Sequence, residues 1–135
     1  MPVKTRQVYK VLRKDGSATH TDFKYSLPKG NKPGDWMPRI RSKLHMCWYG
    51  YHVPSPDHLW NWIHSDCVVY LAEVKGKHIE GLDKHAWKNI RLLKCLGTLT
   101  GKQVDYINRQ RNYFGLYTPD AVLLKRLRPL KPKAK

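Results

Sequence analysis

The sequence predicts an α+β domain: a small, mostly antiparallel sheet with a short helix, then two C-terminal helices and a basic disordered tail. Three observations carry this reading. Short apolar runs divided by turn residues fill the first two thirds of the chain. One of them, Cys67 to Lys75 (CVVYLAEVK), opens with a continuous apolar stretch suited to a central, buried strand. Beyond residue 98 the pattern changes to two capped helical segments. The length of 135 residues fits one domain. We divide it into an α+β core over 1–97, a helical extension over 98–128 packed on that core, and a disordered basic tail over 129–135.

Taken in order, Gln7 to Arg13 (QVYKVLR) reads as a strand, because strand formers alternate with polar residues. Lys14-Asp15-Gly16-Ser17 follows, and Asp-Gly is a strong hairpin signal. Ala18 to Tyr25 is the expected returning strand. Leu27 to Asp35 holds two prolines and two glycines and reads as a loop, ending in an apolar plug at Trp36-Met37-Pro38. Leu44 to Val53 (LHMCWYGYHV) is aromatic and β-prone, with Gly50 marking a bulge or a close backbone approach. Ser55, Pro56 and Asp57 supply a cap, a first-turn proline and an acid for a short helix from Pro56 to His64. After the Cys67–Lys75 strand, Gly76 to Lys84 is expected as a polar turn. Trp87 to Leu96 fits either element, and its short apolar run favours a strand.

Thr100 caps a predicted helix over Lys102 to Phe114, with Val104, Ile107 and Phe114 on one face and Gly115 at its end. Thr118-Pro119-Asp120 repeats the starting signature for a second helix over Pro119 to Arg128, packed through Leu123, Leu124 and Leu127. The tail from Leu130 alternates lysine and proline and is expected to be disordered.

Charge is the dominant compositional feature. Lys and Arg total 26 against 10 Asp and Glu, a formal net charge of +16. Such a chain repels itself when compact and gathers polyanions at its surface. Nucleic acid rewards that contact through counterion release. The density is highest at the C-terminal end, where residues 98–135 hold nine bases and two acids. Arg109, Arg111, Lys125, Arg126, Arg128, Lys131 and Lys133 are therefore the expected phosphate contacts, with Trp48 and Tyr113 as rings available for stacking. The partners expected are nucleic acid or a nucleoprotein machine, with a host or virion protein as the alternative and no membrane. No apolar stretch reaches the roughly 18 residues of a membrane span, and no signal-peptide run is read at the start. Three cysteines at unlike spacings are a poor disulfide framework, so a reducing cytoplasm is expected.

Chemistry is harder to find. Cys47, His52, His64 and Cys67 give the spacing C-x4-H-x11-H-x2-C, with His45 and His58 as substitutes, and such ligands suit tetrahedral zinc. No C-x-x-C pair accompanies them. The expectation is thus no cofactor, with zinc as the alternative. Cys47 and His45 share a strand face, but no orienting acid or oxyanion donor stands at a recognisable position. Glu73 and Glu80 are the only glutamates. No catalytic residue is assigned, and an enzyme is not expected.

The segments Tyr9–Leu12, Pro33-Gly34-Asp35-Trp36-Met37-Pro38, Cys47-Trp48-Tyr49-Gly50-Tyr51-His52-Val53 and Val69-Tyr70-Leu71-Ala72-Glu73-Val74 plus Gly76 together resemble a family of small phage and actinobacterial proteins that share PGxW, CxxGYH and YxxEVxG motifs. The likeness spans about residues 8 to 94 and implies a phage-encoded accessory protein of the host cytoplasm, without implying an activity. Gly50-Tyr51-His52 and the segment after it are also distantly similar to the ADP-ribosyltransferase fold, which implies NAD binding. Lys10 after Tyr9 and the lack of a glutamate over Asn89–Lys94 depart from that pattern, and fold does not settle activity.

Overall fold

The computed structural model describes residues 4–19, 23–46 and 49–130. Its architecture is α+β: one four-stranded antiparallel sheet and two helices. The strands are β1 (Thr5–Arg13), β2 (Tyr51–Pro54), β3 (Cys67–Glu80) and β4 (Lys84–Thr98), in the spatial order β1-β3-β4-β2. The predicted central strand is central, as its unbroken apolar opening requires: β3 pairs with β1 on one side and β4 on the other.

Because side chains alternate along a strand, the sheet has two apolar faces, and both are covered. Leu12, Val68, Tyr70, Ala72 and Val74 pack with Tyr25, Met37 and Ile40 from the long loop segment. Val11, Cys67 and Val69 pack with Leu59, Ile63, Val104, Ile107 and Leu123 from the later part of the chain. Each fully buried aliphatic side chain contributes about 1.5–3 kcal/mol. The loop is held by the backbone as well. Gly34, Met37 and Ile40 donate their N–H groups to the carbonyls of Leu92, Ile90 and Lys88, along the part of β4 that lies beyond the reach of short β2. Gly34 is needed there, since a Cβ would lie 2.2 Å from the Ser26 carbonyl oxygen.

Several expectations are corrected. The Asp15-Gly16 turn forms, with the Asp15 carboxylate accepting from the Ser17 N–H at 2.9 Å. Among the described residues the return is no strand and makes only isolated bridges, Leu12 to Ala18 and Ser17 to Lys24. Among its described residues, Leu44 to Val53 yields only the start of the short β2 and an isolated His45–Tyr49 bridge. The polar turn expected over Gly76–Lys84 is confined to residues 81–83, because β3 runs on to Glu80. Pairing across to β4 overrides its polar composition there, with His78 stacked on Trp87 at 3.9 Å. Trp87 to Leu96 lies within strand β4, as favoured.

The helix expected over Pro56–His64 is a single 3-10 turn, Leu59–Trp62. Asp57 has a left-handed backbone (φ 62°), and Ser55 caps nothing. The N–H groups of Asp57 and Leu59 instead donate to the remote Asp120 carboxylate, at 3.0 and 3.1 Å. Helix α1 (Gly101–Phe114) has the predicted Thr100 cap, reinforced by Gln103 as a capping box, and ends at left-handed Gly115. Its buried face is Val104 and Ile107, whereas Phe114 is exposed. Helix α2 (Asp120–Arg126) is shorter than expected, and Thr118 makes no side-chain cap because the N-cap position falls on Pro119. Leu123 is buried, with Leu124 and Leu127 packed beside it. The tail over 131–135 lies outside the described residues.

Candidate functional site

Lys10 departs from the pattern of its own strand. Val8, Lys10 and Leu12 share one face of β1, so strand alternation carries a lysine inward with two apolar residues. Its side chain is almost fully enclosed, at 4% exposure. The ammonium donates to the His52 carbonyl on β2 at 2.5 Å. β1 and β2 are the two edges of the sheet, so this bond shows the sheet curling until its edges approach each other.

A cleft of about 960 Å³ opens along this approach. From β1 it is lined by Lys10 and Arg13, and from the β2 region by Tyr49, Gly50, Tyr51 and His52. Phe23, Tyr25 and Ile40 come from the long loop. Trp62, Ile63 and His64 follow from the 3-10 turn and the chain after it, Asp83 and Lys84 from the β3–β4 turn, and Arg111 from α1. Gly50 (φ 128°) allows the chain to pass close to the sheet here, since a Cβ would lie 3.0 Å from both Ala86 and Leu44.

One wall is an aromatic cluster. Phe23 meets Tyr25 edge-on at 5.4 Å, and Tyr51 lies 6.1 and 6.0 Å from these two rings. Tyr51 is oriented by donating its hydroxyl to the Pro38 carbonyl. The Lys10 ammonium sits 5.3 Å from the Tyr25 ring centre and 5.9 Å from that of Trp62, within cation–π range of both. Arg111 is fixed by donating to the Trp60 carbonyl at 3.2 Å and to Asn108 at 2.6 Å.

The electrostatics follow from burial and sign. Burial lowers the Lys10 pKa to about 8. His52 falls to about 4, through burial first and then the charges of Lys10 and Lys84, so its imidazole is neutral near pH 7. Burial pushes the Tyr25 and Tyr51 phenols up, keeping them as neutral donors. Among the described residues, four cationic side chains line the cleft against the single carboxylate of Asp83. The arrangement therefore favours a ligand that is flat in one part and anionic in another.

The sequence-predicted contacts are dispersed. Of those among the described residues, Arg111 alone lines the cleft. Arg109, Lys125 and Arg128 are exposed elsewhere on the surface, and Tyr113 is 80% exposed at the end of α1. Arg126 lies over the Tyr106 ring at 5.6 Å and, with Lys102 and Gln103, borders a second hollow of about 290 Å³. Trp48, Lys131 and Lys133 lie outside the described residues. Lys10, Tyr25, Tyr51, Trp62 and Lys84 were not among the expected contacts. The legible signal was Lys10 itself, a lysine in the apolar phase of a strand.

The zinc set is not brought together. His52 and His64 line the cleft, but Cys67 is 1% exposed in the core shared with the helices, its thiol pushed up by burial. Cys47 lies outside the described residues. Among the described residues no group of three or more His, Cys, Asp or Glu side chains is arranged to hold a metal ion. A separate polar cluster occupies the Glu80 end of the sheet, where Arg6 donates to His85 Nδ1 at 2.9 Å and Glu80 lies 3.6 Å from Arg6. Among the described residues no helix is long and apolar enough to cross a membrane. No protein-family model, curated protein or solved structure matches the chain.

Proposed function

We propose that this protein binds nucleic acid, seating an unpaired nucleotide in the cleft between its edge strands while basic side chains outside it contact further phosphates. The observation that carries the reading is the lining of the cleft: among the described residues, five aromatic rings and four cations around one carboxylate. Base–aromatic stacking is tolerant of sequence and worth about 1–3 kcal/mol per base. The cations supply the anionic half of the recognition, and the net charge of +16 supplies attraction at longer range. Stacking needs bases free of a duplex, so single strands are the preferred form. Arg109, Lys125 and Arg128 are exposed and add phosphate contacts without reading sequence.

The test is binding of labelled single-stranded and duplex RNA and DNA to the nuclease-treated protein across a salt series. Single strands are expected to bind more tightly than duplex, with affinity falling as salt rises. Each phosphate neutralised adds about −0.7 to the logarithmic salt slope for a single strand. Tyr49→Ala, at an exposed ring of the cleft, and Trp62→Ala are expected to weaken binding about 5- to 150-fold, the equivalent of one lost stack. Equal affinity for duplex and single strands, unaffected by both substitutions, would overturn the assignment to the cleft.

A further inference from the structure

We propose that Lys10 is the receptor for a terminal phosphate, so that the cleft accepts a nucleotide bearing a phosphomonoester rather than an internal phosphodiester. This rests on the reading of the cleft as a nucleotide site. Of the four cations that line it, Lys10 is the deepest. It is buried, while Arg13 is exposed and Lys84 and Arg111 are half-buried. An ammonium has three N–H donors. Among the described residues, the one acceptor within hydrogen-bond reach is the His52 carbonyl, and the Tyr25 and Trp62 rings supply the remaining contacts.

Among the described residues no carboxylate pairs with Lys10, and the one acid that lines the cleft, Asp83, accepts instead from the Asn61 amide at 3.1 Å. A buried cation is ordinarily paired with an anion. The ammonium therefore presents donors and charge to an anion that enters the cleft. Shape then selects the kind of phosphate. An internal phosphodiester continues into a sugar on both sides, so reaching an enclosed lysine would require both neighbours to enter with it. A terminal phosphate has a free end and three unesterified oxygens. It also carries about −1.5 to −2 charge at neutral pH, against −1 for a diester. The cleft volume of about 960 Å³ lies near the top of the range for small-ligand sites, roughly 300–1,000 Å³. It has room for a nucleotide with its base on the rings and its phosphate on Lys10.

The experiment compares one single-stranded sequence in four forms: hydroxyl-ended, 5′-phosphorylated, 3′-phosphorylated and ligated into a circle. Adenosine and its 5′- and 3′-monophosphates are titrated as competitors. The wild type, Lys10→Met and Lys10→Arg are measured, with far-UV circular dichroism checking the fold of each. One phosphorylated end is expected to bind at least tenfold more tightly than the hydroxyl-ended and circular strands. Lys10→Met should erase that gain, and Lys10→Arg should retain part of it.

Competition by a monophosphate but not by adenosine supports the assignment for the free nucleotide. Preference among the strands supports it for a strand end. If all four strands bind alike and neither monophosphate competes better than adenosine, the assignment of Lys10 falls while the nucleic-acid reading stands. If a monophosphate binds in a Lys10-dependent way and no strand does, the nucleic-acid reading falls and the receptor stands. A phosphate preference that survives Lys10→Met also overturns the role of Lys10.

Discussion

Replacing Lys10 with methionine should make the protein more stable at neutral pH, and the gain should vanish in alkali. Burial lowers the pKa of this ammonium from 10.5 to about 8. Below pH 8 the lysine is charged in both states, and the folded state bears the full desolvation cost. At about 1.4 kcal/mol per pH unit of displacement, the cost is about 3 kcal/mol. Between pH 8 and 10.5 the unfolded chain binds the proton that the folded chain has released, so stability rises with pH through this window. Methionine fills a similar volume with a flexible thioether. It forgoes the hydrogen bond to the His52 carbonyl, which subtracts about 1 kcal/mol. The variant should therefore gain about 2 kcal/mol at pH 7 and fall slightly below the wild type near pH 10.5, where only the lost hydrogen bond remains. Urea unfolding followed by tryptophan fluorescence at several pH values measures this. Burial raises the pKa of Cys67, Cys95 and Tyr70, so ionisation of their unfolded forms also erodes stability in alkali. That erosion is common to both proteins, and their difference isolates Lys10. A variant less stable than the wild type at pH 7, or a difference constant with pH, would refute the picture of a buried cation with no counter-ion among the described residues.

Other outcomes follow from neighbouring features. The His52 imidazole should titrate near pH 4 by NMR, and the fold should lose stability as pH falls from about 6.5 through 4, because the unfolded chain takes up that proton first; titration near 6.5 would contradict its burial beside Lys10. Asp120→Ala leaves the Asp57 and Leu59 N–H groups without their acceptor and should cost about 1–2 kcal/mol in urea unfolding, with Asp120→Asn keeping part of it. Gly97 has φ 122°, and a Cβ there would lie 2.1 Å from the Arg128 carbonyl oxygen. Gly97→Ala should therefore break the Thr98–Arg128 bridge and cost about 2 kcal/mol or more, with faster hydrogen exchange over α2; an unchanged midpoint would show that the contact yields freely.

Local chemistry made several elements readable before any fold was known. Asp15-Gly16 demanded a tight turn, and Thr100 with Gln103 and Gly115 bounded a helix at both ends. The apolar opening of Cys67–Lys75 required burial on two faces, which a central strand provides. Where local signals were overruled, a distant partner did it. Ser55-Pro56-Asp57 carries a helix-start signature, yet Asp120, some sixty residues on, takes the donors that such a helix would have to satisfy. The polar run after Lys75 stays extended because β4 offers it a ladder, and Phe114 is exposed because α1 turns only Val104 and Ile107 to the sheet.

The candidate site divides along the same line. Composition by itself determined that the protein is strongly cationic and rich in Trp and Tyr. It directed attention to the C-terminal helices, where the charge is densest along the chain. Density along a chain is not density in space. The curl of the sheet joins Lys10 to His52, forty-two residues away, and α1 brings Arg111 to the same cleft. Only tertiary structure could decide that, because the positions of these groups are set by the packing of two apolar sheet faces, to which the charges themselves contribute almost nothing.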